Sequence, residues 1–153
     1  DSCTRAGLEV PRLSQESMAR IRPFVPAAGS IAGTPLDYWA VFLKPELLFD
    51  VLNVAYADPG ISMVMVDRLI PRIAFHSPDI PDSVAEIAGF IKTHRQAKPT
   101  VFTVDYDGGD PDLIRKGSAL RSHFCQAGIP AFPSFERAIG ALARFQTYCS
   151  RFA

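Results

Sequence analysis

The chain has 153 residues, a length suited to one domain, and its 48% hydrophobic and 21% charged composition excludes a disordered segment and supplies enough apolar surface for a real core. Sixteen Lys and Arg balance sixteen Asp and Glu and are scattered along the chain, so no basic footprint for nucleic acid is formed. No signal peptide is expected, and no apolar run approaches the ~20 residues that span a bilayer, so no membrane partner is expected either.

Asp1 to Ala6 reads as the tail of a helix stopped by Gly7, and Leu8 to Val10 before Pro11 as a short strand. Ser14 opens a helix through about Phe24, which Pro26 keeps from continuing. Pro45 suits the first turn of a helix through Ala57, with Leu47, Leu48, Val51, Leu52 and Ala55 on one side, and Asp58-Pro-Gly60 breaks it. Ile61 to Val66 is a nearly continuous apolar run with β-branched residues, the pattern of a strand covered on both faces, and Thr100 to Asp105 is a second. Between them Asp82 or Ser83 caps a helix through about Gln96, with Val84, Ile87, Ala88 and Ile91 turned inward. Asp110 or Pro111 opens the next helix, to about Ala127.

Gly128 can take the left-handed conformation that ends that helix, and Ile129 to Phe132 is a brief strand flanked by prolines. Ser134 caps the last helix, in which Ala138, Leu142, Ala143 and Phe145 recur at helical spacing. From Pro45 onward, helices and strands therefore alternate. That order predicts an α/β fold, a flavodoxin-like or Rossmann-like three-layer sandwich with a mostly parallel sheet and right-handed crossovers, in one domain over 1–153.

Four segments in order carry a family resemblance. Ala127-Gly-Ile-Pro-Ala-Phe-Pro-Ser-Phe-Glu-Arg-Ala138 resembles the Ala-Gly-Ile-Pro-Val-Phe-Pro-Thr-Pro-Glu-Arg-Ala ending of NDP-forming acyl-CoA synthetases, relatives of succinyl-CoA ligase. Residues 6–26 are similar to a segment of the same proteins, Gly33-Thr-Pro-Leu-Asp37 stands where they have Gly-Asn-Pro-Val-Asp, and Tyr56 to Val66 matches their Ala-Asp-Pro strand approach. The resemblance implies that the chain is one domain of a cytoplasmic multidomain enzyme. That enzyme interconverts acyl-CoA, ADP and phosphate with a carboxylic acid, CoA and ATP through a phosphohistidine. It further implies CoA, ATP or ADP, phosphate and Mg in the whole protein, none held by this chain, and other domains, subunits or a second copy as partners. The alternative is a noncatalytic module that senses CoA or a nucleotide beside a protein acetyltransferase.

Departures from the family pattern matter as much. The phosphohistidine of the family lies in a Ser-His-Ser/Thr-Gly setting, and His76, His94 and His123 have no such neighbours, so each reads as a surface or packed histidine and the chain alone is expected to be inactive. Relatives carry a strand and a Gly-Gly-x-Gly anion loop before the helix that ends at Gly7, and their lack here predicts a fragment whose sheet misses its first, central strand.

Among the residues present, Asp37 matches the acidic position of the family motif at the mouth of the sheet, against the plainer reading of an Asp that hydrogen-bonds its own turn. Thr34 replaces the usual Asn and forfeits its amide donor. Gly108 and Gly109 follow the strand ending at Asp105, where open α/β sheets bind ligands and a phosphate could approach the backbone. Asp107, Asp110 and Asp112 oppose an anion there and favour a solvated loop whose acids complement the next helix dipole. Arg68 and Arg72 are read as loop charges that could meet a carboxylate or a CoA phosphate. Cys3, Cys125 and Cys149 are odd in number and lack metal-ligand spacing, which predicts reduced structural thiols and no metal site.

Overall fold

The computed structural model describes residues 2–25, 31, 33–38, 45–69, 80–105 and 109–152. In chain order it contains α1 (Ser2–Arg5), α2 (Gln15–Ile21), α3 (Pro45–Ala57), β1 (Val64–Leu69), α4 (Ile80–Thr93), β2 (Thr100–Asp105), α5 (Pro111–Gln126), β3 (Ala131–Phe132) and α6 (Phe135–Cys149). The strands form an open parallel sheet in the order β1-β2-β3, which is the expected α/β alternation. In the β2–β3 pair Phe102 stands opposite Ala131, and the Phe102 amide donates to the Pro130 carbonyl at 2.9 Å.

The chain groups into two compact units, Asp1–Glu9 with Met65–Ala88 and Thr100–Ala153, and Val10–Val64 with Gly89–Pro99. In the first, helices α5 and α6 both pack against β2 and β3. Residues Val101 to Val104 are buried without alternation, as they must be in a strand with no solvent face. Phe102 and Phe124 stack with ring centroids 4.4 Å apart, both almost wholly shielded from water. Ala138, Ile139 and Leu142 supply the buried stripe of α6, whereas Phe145 is 45% exposed, so the seam runs through Ile139 and leaves Phe145 outside it. In the second unit α2 packs on α3, and Ile21, Val25 and Val54 form a small core flanked by Leu13, Phe24, Leu36 and Tyr38.

Local chemistry explains the element ends. Ser14 is the N-cap of α2, its hydroxyl accepting from the Ser17 amide at 3.1 Å, but the helix stops at Ile21 rather than near Phe24. Arg22 keeps helical dihedrals, and the ladder is interrupted at Pro23, which has no amide to donate, although the Phe24 and Val25 amides still reach the Ile21 carbonyl; Pro26 lies outside the described residues. Leu8 to Val10 form no strand, since no partner pairs with them among the described residues. Strand β1 is displaced by three residues from the apolar run at Ile61, because pairing starts only where the Val64 amide meets the Pro99 carbonyl at 2.9 Å. Helix α4 begins at Ile80, which puts Asp82 and Ser83 inside its first turn instead of at its cap, and Val84, Ile87, Ala88 and Ile91 are buried as expected. Asp110 caps α5 with Pro111 in its first position, and Gly128 after its end takes a φ of 79°, a left-handed conformation that a residue with a Cβ adopts only with strain.

Candidate functional site

Thr34 and Asp37 lie on one small loop of the second unit. Ile31 and Asp37 exchange two backbone hydrogen bonds, of 2.9 and 3.1 Å, in an isolated antiparallel bridge that closes the loop at its base. Residues 33–35 bend between them, with a cis peptide bond from Thr34 to Pro35. The Thr34 hydroxyl oxygen accepts from the Leu13 amide at 3.2 Å, so this side chain holds the chain just ahead of α2. Asp37 is exposed, and its fixed contacts are those of its backbone.

The next residue along from Leu13 is held as well, by the carboxylate of Asp58 just past the end of α3. Asp58 is 2% exposed and accepts from the Ser14 amide and the Gly60 amide, both at 2.8 Å. Burial by itself pushes this carboxyl up; hydrogen bonds from the Ser17 side chain, the Ser14 and Gly60 amides and the Ser14 side chain prevail and lower its pKa from 3.8 to about 2. Lys98 donates from Nζ to the carbonyls of Ala55 (3.1 Å) and Asp58 at the C-terminal end of α3, where a cation complements the helix dipole. Burial lowers the Lys98 pKa and the Asp58 charge opposes that shift. The clue in the sequence was Asp58 two residues before Gly60, the spacing of a side chain that hydrogen-bonds its own turn. That the same carboxylate also reaches Ser14, 44 residues earlier, is tertiary information.

Gly109 belongs to the first unit, at the β2–α5 junction; Gly108 lies outside the described residues. Gly109 has no positive φ, and a Cβ built on it would meet nothing within 4 Å, so the described fold makes no steric demand for glycine there. The N-terminus of α5 is satisfied by its own acid: the Asp110 carboxylate accepts from the Asp112 amide at 2.8 Å, and Asp112 pairs with Arg115 on the exposed face. This is the dipole-complementing loop expected from the acid cluster. Arg68 is inside β1 rather than in a loop after it, and Arg72, Asp107 and His76 lie outside the described residues. One residue before Arg68, the exposed Asp67 carboxylate accepts from the fully buried Thr103 hydroxyl across β1 and β2, just past the apolar run that ends at Val66.

His94 follows the end of α4 and is not on the helix. Its Nε2 is 3.0 Å from the Asn53 Oδ1, and its Nδ1 accepts from the Gln96 amide at 3.1 Å, an arrangement that fits the neutral ring with its proton on Nε2. These partners orient a ring; none is a hydroxyl or thiol that the imidazole could activate. His123 is a half-buried residue in the last turn of α5. All three cysteines are free thiols, and Cys125 and Cys149 are exposed rather than packed as structural thiols would be. Among the described residues no group of three His, Cys, Asp or Glu is arranged to hold a metal, and no helix is long and apolar enough to cross a membrane.

No protein-family model and no curated protein matches the sequence. The fold has clear counterparts among solved structures. An apo structure of a dinucleotide forming acetyl-coenzyme A synthetase 1 from Candidatus Korarchaeum cryptofilum superposes with a TM-score of 0.71 and 19% identity over 98% of this chain. The crystal structure of PH0766 from Pyrococcus horikoshii OT3 superposes with a TM-score of 0.69 and 20% identity over 94% of this chain. In each case the chain spans 30% of the neighbour's length, so the shared fold is that of one part of a longer protein.

Proposed function

We propose that residues 1–153 form one domain of an NDP-forming acyl-CoA synthetase, which interconverts acyl-CoA, ADP and phosphate with a carboxylic acid, CoA and ATP. One observation carries the reading: a fold likeness over 98% of the chain to part of an acetyl-coenzyme A synthetase coincides with a resemblance of ordered motifs to the same class of enzyme. The histidine that would carry the phosphoryl group lies outside this chain, in keeping with the orienting contacts of His94. CoA, nucleotide, phosphate and Mg belong to the whole enzyme, with its other domains or subunits as partners, in the cytoplasm.

Within that reading the chain contributes positioning. Thr34 and Asp37 present a polar loop whose base is closed by the Ile31–Asp37 bridge and whose Thr34 is tied to Leu13, so the exposed Asp37 carboxylate stands on a fixed support. Gly109 follows the carboxyl end of β2, where α/β folds meet their ligands. A carboxylate at a phosphate or acyl site orients by accepting hydrogen bonds from substrate hydroxyls or bound water, since it repels the anion itself.

The test is ATP formation by the natural full-length protein from ADP, phosphate and a panel of short-chain acyl-CoA thioesters. ATP released only when all three are present supports the reading. No ATP, with CoA or a nucleotide nevertheless binding and an acetyltransferase domain in the same protein, would replace it by the sensing module. The chain of residues 1–153 alone is expected to form no thioester.

A further inference from the structure

We propose that a hollow formed by α2, α3 and the 94–96 turn binds a free α-amino acid. The inference is independent of the synthetase reading. The hollow is open to solvent and holds about 370 Å3, within the range of about 300–1,000 Å3 typical of small-molecule sites, and every described residue lining it belongs to the second unit. Asp50, Asn53, Val54 and Ala57 enter from a single face of α3 at the spacing that aligns side chains along a helix, and Arg20 enters from the last turn of α2.

Its charges decide the ligand. Arg20 and Asp50 line the same hollow without pairing, and neither side chain makes a hydrogen bond among the described residues. A simple anion would meet the Asp50 carboxylate and a simple cation the Arg20 guanidinium, whereas a zwitterion satisfies both. Asn53 adds a donor: its Oδ1 faces the Nε2 of His94 at 3.0 Å, which leaves its NH2 for a ligand carboxylate alongside Arg20. The lining is mostly polar, with Phe24 supplying most of its small apolar part, so the ligand is selected by its charged groups and not by its side chain. Part of the site is fixed before anything binds. The His94 ring is held by the Gln96 amide and by ring contacts to Tyr56 at 5.0 Å and Phe90 at 5.4 Å, so Asn53 is held in a single orientation, whereas the exposed Arg20 and Asp50 side chains are ordered on binding.

The experiment is calorimetry and 15N chemical-shift mapping on the chain with L-leucine, L-phenylalanine, L-serine and L-glutamine, and with 4-methylpentanoate and 3-methylbutylamine, which are leucine without its ammonium and without its carboxylate. At least one amino acid should bind saturably and shift the amides of residues 50–57 and 94–96. Arg20→Gln and Asp50→Asn should each weaken it about tenfold or more, as loss of a charge-assisted contact does. Both residues are exposed, and unchanged thermal melting of the variants will show that the fold is intact. The proposal is overturned if none of the four amino acids binds, if either truncated analogue binds as tightly as leucine when leucine is a ligand, or if binding survives both substitutions.

Discussion

The two compact units are held together by different physics. The first is organised by apolar burial: β2 is shielded on both faces and the Phe102–Phe124 stack lies at its centre. The second has a smaller apolar cluster around Ile21, Val25 and Val54, and ties distant segments with side-chain acceptors, Asp58 on Ser14 and Gly60, Thr34 on Leu13, Asn53 on His94. Burial of hydrocarbon is strong and insensitive to pH, while a hydrogen-bonded carboxylate is directional and titrates. The contrast predicts that one unit responds to volume and the other to charge.

The largest effect should come from the apolar unit. Phe124→Ala removes a fully buried ring and leaves a cavity beside Phe102, and should destabilise by about 3–5 kcal/mol in urea titration, lowering the thermal midpoint by about 10 °C. Asp58→Ala should follow at about 1–3 kcal/mol, because it removes a buried carboxylate that accepts from the part-buried Ser14 and Gly60 amides. If Asp58→Ala equals or exceeds Phe124→Ala, the contrast between the units is wrong.

Acid sharpens the same comparison. The folded pKa of Asp58 is depressed to about 2 from 3.8, so its contribution is complete above the upper value and is lost as pH falls toward the lower. The protection factors of the amides of residues 14, 17 and 60, corrected for intrinsic exchange, should therefore fall between pH 4 and pH 2 ahead of those of the β2 amides. Asp58→Asn should abolish that difference. The smallest effect belongs to a helix cap: Ser134→Ala removes the hydroxyl that accepts from the Arg137 amide at 3.4 Å, and should cost about 1 kcal/mol or less, the bond being long and exposed.

Legibility in the sequence follows the same division. Helix α3, strand β2, the cap at Ser134 and the left-handed Gly128 were readable because each depends on neighbours along the chain: a proline in a first turn, a run of β-branched residues, a hydroxyl three residues before the amide it accepts from. The inward face of α4 was readable from its period, even though its start at Ile80 was not. Misreadings arose where a contact far along the chain decides. The first residues of the Ile61 run are not strand because Pro99 pairs only from Val64, and Phe145 stays exposed while Ile139 takes its place. The interruption of α2 at Pro23 is local, since a residue without an amide breaks the ladder wherever it stands. Of the candidate residues, Thr34 and Asp37 were visible through a motif, but the tie from Thr34 to Leu13 spans 21 residues and the reach of Asp58 spans 44. No local pattern reports such partners.

The central claim is that this fold serves a synthetase that works through a phosphohistidine. The most direct measurement is phosphoryl transfer: the natural full-length protein is incubated with γ-labelled ATP, the label is tested for acid lability and base stability, and CoA with a short-chain acid is then added. The account predicts an acid-labile, base-stable label that CoA plus acid discharges, and the chain of residues 1–153 alone should take up none. Absence of label under conditions where an acyl-CoA synthetase of this class becomes labelled would contradict it.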